Sequence, residues 1–170
     1  MKKFLAIILV ILMALSVFVG CEKEDTDTEK GATTTKGDSA NIDFYIEYKS
    51  AKLELGADAT AALNALGAPK SSEPQGDCSG KGSLTKYVYD SVILYVLDDG
   101  KSKTVDQITL LDDSVKTPAG IKVGSSRAEV MKAYGEKSGD GSVTYKSGNN
   151  NLMIGFRDGS VSSIDLRVIY

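Results

Sequence analysis

The chain has 170 residues, 20 basic against 23 acidic side chains and a net charge of −3. That length suits one domain with a real core, and a mildly acidic balance argues against nucleic acid and against recruitment by anionic lipid headgroups. There is no histidine and there are only two cysteines, which excludes Ser-His-Asp and Cys-His mechanisms and removes the usual zinc ligands.

Met1-Lys2-Lys3 is a short basic start, and Phe4 to Val19 is a continuous apolar run closed by the small residue Gly20. The run is about 16 residues, short of the roughly 20 that span a bilayer as a helix, and its layout is that of a secretory signal. Phe18-Val19-Gly20-Cys21 resembles a bacterial lipobox, with phenylalanine where leucine is usual. The resemblance implies cleavage before Cys21, diacylglyceryl attachment to its sulfur and a lipid-anchored place on the extracytoplasmic face of the cell membrane. Two acyl chains make a stable anchor where one is marginal. Cys78 is then a single free thiol, read as a tolerated or buried small residue, since only Lys81 stands nearby to lower its pKa.

Residues 22–41 are polar and charged, with almost no large apolar side chain. They bury too little surface to offset their ordering entropy and read as a tether, holding the domain roughly 25 Å from the membrane.

From Ile42 the chain becomes globular. Ile42 to Tyr48 alternates as a strand, and two similar stretches follow, at 53–67 and 121–135. Each has two alternating apolar residues, a glycine, a cap, one short helix and a closing glycine. Asp58 and Ser126 are the caps, Ser126 with Glu129 forms a capping box, and Gly67 and Gly135 fit the left-handed position after a helix. The strands that follow also correspond: 87–89 with 143–145, 93–97 with 152–156, and 108–110 with 164–166. Asp99-Gly100 and Asp158-Gly159 suit type I′ hairpin turns.

A tandem pair of this kind resembles the β-lactamase-inhibitory-protein-like fold, whose single-copy form occurs in small bacterial envelope lipoproteins. Leu111 to Ile121 is similar to the linker of a Gram-positive bacterial surface lipoprotein family, whose members also carry a cysteine at the place of Cys78. The resemblance implies the fold and no activity, and no contact residue is transferred from it.

Motifs that suggest chemistry do not hold up. Gly76 to Gly80 is one position short of a phosphate loop, and Gly82 follows Lys81 where Ser or Thr is needed. Ser83-Leu84-Thr85-Lys86 matches S-x-x-K but leads into a strand, and Lys116-Thr117 is followed by proline. Asp98-Asp99 and Asp112-Asp113 lack the alternation of a calcium loop and read as turn chemistry. No cofactor or metal is expected.

Alternation at 92–97 sets Ile93, Tyr95 and Leu97 on one side, aligned with Leu152, Ile154 and Phe156 and expected under the helices. Val92, Leu94 and Val96 then face away, with Met153 and Arg157 beyond. Those five residues are the candidate partner face, unless residues 42–48 or the other repeat cover it.

The expectation is a signal peptide at 1–20, a lipidated Cys21 and linker at 21–41, and an α+β domain at 42–170. That domain holds two repeats, about 42–111 and 121–170, each a short helix plus three or four antiparallel strands. Together they make one curved sheet with the helices on one face. The expected function is a membrane-anchored, non-enzymatic protein-binding or envelope-assembly module with an unknown protein partner. The alternatives are a secreted hydrolase-type enzyme using carboxylates or Ser/Lys alone, and a solute-binding lipoprotein.

Overall fold

The computed structural model describes residues 42–76 and 80–170. The expected signal peptide, Cys21, the expected tether and Cys78 lie outside the described residues. The elements run β1 (Tyr45–Tyr48), β2 (Ala51–Glu54), α1 (Ala59–Leu66), β3 (Ser71–Gln75), β4 (Ser83–Val88), β5 (Val92–Asp98), β6 (Lys103–Leu110), α2 (Arg127–Tyr134), β7 (Ser142–Ser147), β8 (Asn150–Arg157) and β9 (Ser160–Val168).

Strands dominate the described residues, so the expected α+β class is corrected there to a mainly antiparallel β architecture carrying two eight-residue helices. The expected single sheet is corrected as well. Seven strands form one sheet in the order β3-β4-β5-β6-β9-β8-β7, and β1 and β2 pair only with each other. The strand expected at 42–48 forms over Tyr45–Tyr48 but pairs outside the main sheet, its chain folding back through a two-residue turn, Lys49-Ser50, with both φ angles positive (48° and 64°). Alternation at 42–48 marks a strand but says nothing of its partner.

The hairpins divide in the same way. Asp158-Gly159 forms the expected two-residue turn, with φ of 51° and 77°. Asp99-Gly100 does not: its loop has four residues, and the Asp99 carboxylate accepts from the Lys101 and Ser102 amides at 2.8 and 2.7 Å. A side chain that satisfies the loop amides replaces the tight turn. Strand β3 is fully exposed and contains Pro74, which fits only an edge strand because it donates nothing to a ladder.

Both helices start as their sequences dictate. The Asp58 carboxylate accepts from Thr60 N–H at 2.7 Å, and Ser126 and Glu129 complete a reciprocal capping box. Both end on a glycine whose N–H returns to the carbonyl four residues back. Gly67 has φ 70° and ψ −155°, and Gly135 has φ 93° and ψ 156°. That is the extended positive-φ region, open almost exclusively to glycine, and not the left-handed helical well expected from the sequence.

A matched set of backbone contacts accompanies each helix. The Gly56 N–H donates to the Val105 carbonyl at 2.8 Å and Val105 N–H to the Ala57 carbonyl at 3.0 Å. The Gly124 N–H donates to the Val161 carbonyl and Val161 N–H to the Ser125 carbonyl, both at 2.8 Å. Each helix-entry turn is thereby bonded to the start of a long strand.

One core cluster gathers apolar residues from both helices, the small hairpin and the main sheet. Val92, Leu94 and Val96 belong to it, at 0, 0 and 2% exposure, while of the set expected there Ile93 and Tyr95 are half-buried and Leu97 is buried at 6%, all three outside it. The strand is therefore turned over relative to the expectation. The pairing shows why: Val143 sits opposite Ile154 as Tyr87 sits opposite Leu94, so Leu152 matches Val92 and not Ile93. Every residue from 92 to 97 is apolar, so alternation alone leaves the inward set undecided. The linker also contributes to the core, through buried Val115, Thr117 and Ile121. The buried Tyr134 hydroxyl donates to Thr117 Oγ1 at 2.6 Å.

Two predictions follow from the backbone and the core. At Gly67 and Gly135 a Cβ would meet nothing within 4 Å, so the cost of alanine is torsional alone. Gly67→Ala and Gly135→Ala are each expected to destabilise by about 1–3 kcal/mol, to a similar extent, in urea melts. Leu94→Asp places an unpaired carboxylate in the core and is expected to cost several kcal/mol, read as a collapsed thermal melt.

Candidate functional site: the outward face of the sheet

The face turned away from the core can be followed strand by strand through the pairing. One row runs Glu73, Lys86, Tyr95, Gln107, Arg167, Asn151 and Lys146, each opposite the next. The neighbouring row runs Ser71, Val88, Ile93, Thr109, Asp165, Met153 and Thr144. Leu84, Val88, Ile93, Tyr95 and Met153 are half-buried and stand outside the main core, although Val88 and Tyr95 flank charged or polar neighbours. An antiparallel sheet with a solvated second face ordinarily presents polar side chains there.

At the centre of the face, where β6 meets β9, three polar side chains form a closed set. Thr109 Oγ1 donates to Asp165 Oδ1 at 2.6 Å, and Gln107 Nε2 lies 3.2 Å from Thr109 Oγ1 and 3.4 Å from the same carboxylate oxygen. The set holds a half-buried carboxylate at the middle of the sheet through donors on the adjacent strand. Beyond it, the Tyr170 hydroxyl donates to Asp106 at 2.7 Å, and the Lys81 ammonium lies 4.6 Å from the Tyr170 ring centroid. These residues, with Gln107 and Arg167, line an open groove of about 540 Å³ at one end of the face.

The five residues of the candidate partner face are not brought together. Val92, Leu94 and Val96 are core, Met153 lies on the outward face, and Arg157 is exposed at the end of β8 beside the turn to β9. Their places on the outward side are taken by Ile93 and Tyr95. The Gln107-Thr109-Asp165 set forms no local motif, because its members come from strands 56 to 58 residues apart. The signal available was polar residues alternating with Ile108, Leu110, Ile164 and Leu166.

In the acidic pairs Asp98, Asp99 and Asp112 accept from amides of their own turns. Asp112 accepts from both the amide and the hydroxyl of Ser114, and the Ser114 hydroxyl also meets Ser91 at 2.8 Å. Asp113 pairs with Lys122 at 3.4 Å. Among the described residues no group of three His, Cys, Asp or Glu side chains comes together to hold a metal ion, and no helix is long and apolar enough to cross a membrane.

Hydrogen bonds depress several carboxylates below their ordinary values. Asp58 is lowered by the Thr60 amide, Asp90 by bonds from Lys70 and Lys49, Asp99 by the Ser102 and Lys101 amides, Asp112 by Ser114, and Glu129 by Ser126. Burial raises Tyr134 and Tyr145 above 10.0. The depressed carboxylates contribute stability that is present above 3.8 for aspartate and 4.5 for glutamate and is lost as pH falls through the lower folded values. The raised tyrosines contribute stability that is full below 10.0 and lost as pH rises through their folded values. No histidine titrates between these limits. Thermal melts across pH are therefore expected to show a broad neutral plateau with losses only at the acid and alkaline ends. A step near pH 6 would contradict this assignment.

The chain matches no protein-family model, no curated protein and no solved structure.

Proposed function

We propose that this protein is a lipid-anchored extracytoplasmic lipoprotein whose domain acts as a non-enzymatic protein-binding module, with the outward face of the seven-stranded sheet as its contact surface. The observation that carries the reading is the set of half-buried apolar side chains, Leu84, Val88, Ile93, Tyr95 and Met153, on a sheet face outside the core. Apolar residues interleaved with Lys86, Gln107 and Arg167 suit a protein contact, in which aromatic and aliphatic anchors sit among polar groups that fix register. The anchor rests on Cys21 and the segment before it.

We further propose that residues 51–110 and 121–168 are two copies of one unit, with both helices on the same side of the sheet. Four correspondences support it: the entry turns bonded to Val105 and Val161, the bridges Asp58–Thr104 and Ser126–Ser160, the closing glycines, and the register shifts at Tyr95/Val96 and Gly155/Phe156. The shifts place Gly155 where the other copy has Tyr95, and a Cβ at Gly155 would lie 2.5 Å from Ser163 Oγ. The two halves of the face therefore differ, and the apolar anchors are concentrated on the β4–β5 half.

A photo-crosslinking side chain at Tyr95 is expected to give a discrete adduct in intact cells, absent when the same group replaces exposed Lys132 on α2. No adduct at 95, or the same adducts from both positions, would overturn the face. Cys21→Ala is expected to abolish fatty-acid labelling and detergent-phase partitioning. A mutant that still carries labelled fatty acid would overturn the anchor.

A further inference from the structure

The two ends of the main sheet are finished differently. On β4 the outer edge is covered by β3, and the Val88 carbonyl accepts from the Lys70 amide at 2.7 Å. Strand β7 holds the matching place at the other end, since Thr144 lies opposite Met153 as Val88 lies opposite Ile93. Nothing in the sheet lies outside β7 among the described residues. The chain between Gly135 and Ser142 is too short to supply another strand. The Thr144 carbonyl is instead taken by a side chain, the Lys137 ammonium at 2.6 Å, which also lies 5.0 Å from the Tyr145 ring centroid.

In an antiparallel ladder the N–H and C=O of one residue point the same way. The Thr144 carbonyl faces the free edge, so its N–H does too, and Lys146, two residues on, repeats the orientation. An unpaired strand edge is a template for another strand, and a lysine is a common guard.

We propose that β7 is a self-pairing edge gated by Lys137, and that its occupant is β7 of a second copy, antiparallel about a dyad at Tyr145. In that register Thr144 faces Lys146 of the partner subunit and exchanges both backbone bonds with it. Val143 faces Ser147 of the partner subunit, and the two copies of Tyr145 meet across the dyad. No like charges stand opposite one another within the strands, and the Tyr145 ring stays packed on Tyr134 of its own subunit, with centroids 5.2 Å apart. The register also keeps clear of the Ser142 carbonyl, against which Gly139 is packed. The opposite edge is not self-complementary: β3 paired about its centre sets Glu73 against Glu73 and includes Pro74, which donates nothing. The barrier at β7 is the Lys137 ammonium, which occupies one acceptor and sits beside the dyad residue, so two copies would bring two ammoniums together. This inference uses the edge of the sheet and is independent of the partner-face reading.

Sedimentation equilibrium of the purified full chain and its variants tests it. Lys137→Ala is expected to tighten self-association at least tenfold over the parent chain. Adding Thr144→Pro, which removes an outward N–H at an edge position, is expected to return that variant to the parent's behaviour with the melt preserved. If the proline variant melts early, amide exchange at Thr144 in Lys137→Ala decides instead. Protection that rises with protein concentration supports the pairing, and exchange independent of concentration overturns it. Association of Lys137→Ala no tighter than that of the parent, or association unchanged by a folded Thr144→Pro, also overturns it.

Discussion

Strands β6 and β9 share only the pairs from Gln107–Arg167 to Leu110–Ile164, and the rest of the molecule depends on what each strand does beyond that short seam. Past it, the backbone of each strand has no strand partner on that side among the described residues. The groups at Val105 and Val161 are taken instead by the turns that open α1 and α2. A backbone hydrogen bond contributes about 1 kcal/mol net, but leaving a buried donor or acceptor unpaired costs about 1–3 kcal/mol. The pairing of those two valines is therefore close to obligatory, and it fixes where each helix begins. The register shifts beside them, at Tyr95/Val96 and Gly155/Phe156, add a residue to each strand and turn it toward its helix.

With the helix starts fixed, the caps and the core complete the inward side. Ala59, Ala62 and Leu66 of α1 and Val130, Met131 and Tyr134 of α2 are buried against the strand residues of the same cluster. The linker is drawn in through Thr117, whose hydroxyl accepts from Tyr134 and from the Ile121 amide. That bond holds the crossing between the two halves in place and satisfies a buried phenol at the same time. The small hairpin is held at its tip by Asp90, which pairs with Lys49 at 3.1 Å and Lys70 at 2.9 Å. All three side chains are exposed, so these pairs set position more than they add stability.

The outward side is what this arrangement leaves behind. Its central polar set joins β6 to β9 at the seam, and all of its half-buried apolar anchors but Met153 stand on the half of the sheet that β3 closes. The two sheet edges differ for a simple reason of chain length: the segment after Gly67 is long enough to return as β3, and the segment after Gly135 is not. One edge is covered by backbone and the other by a lysine.

The local features were legible in the sequence, because each depends on residues close together in the chain. The capping residues Asp58 and Ser126, the closing glycines, the Asp158-Gly159 turn and the existence of most strands were all legible from short-range chemistry. The absence of histidine already bounded the chemistry of any site. Tertiary structure decided what short-range chemistry leaves degenerate. In β5 every position from Val92 to Leu97 is apolar, so only pairing with β4 and β6 chose which set faces the helices. The partner of β1, the polar edge strand β3 and the Gln107-Thr109-Asp165 set likewise required strands far apart in sequence to be placed side by side. Alternation encodes two faces of a strand, and only its neighbours in space decide which face is buried.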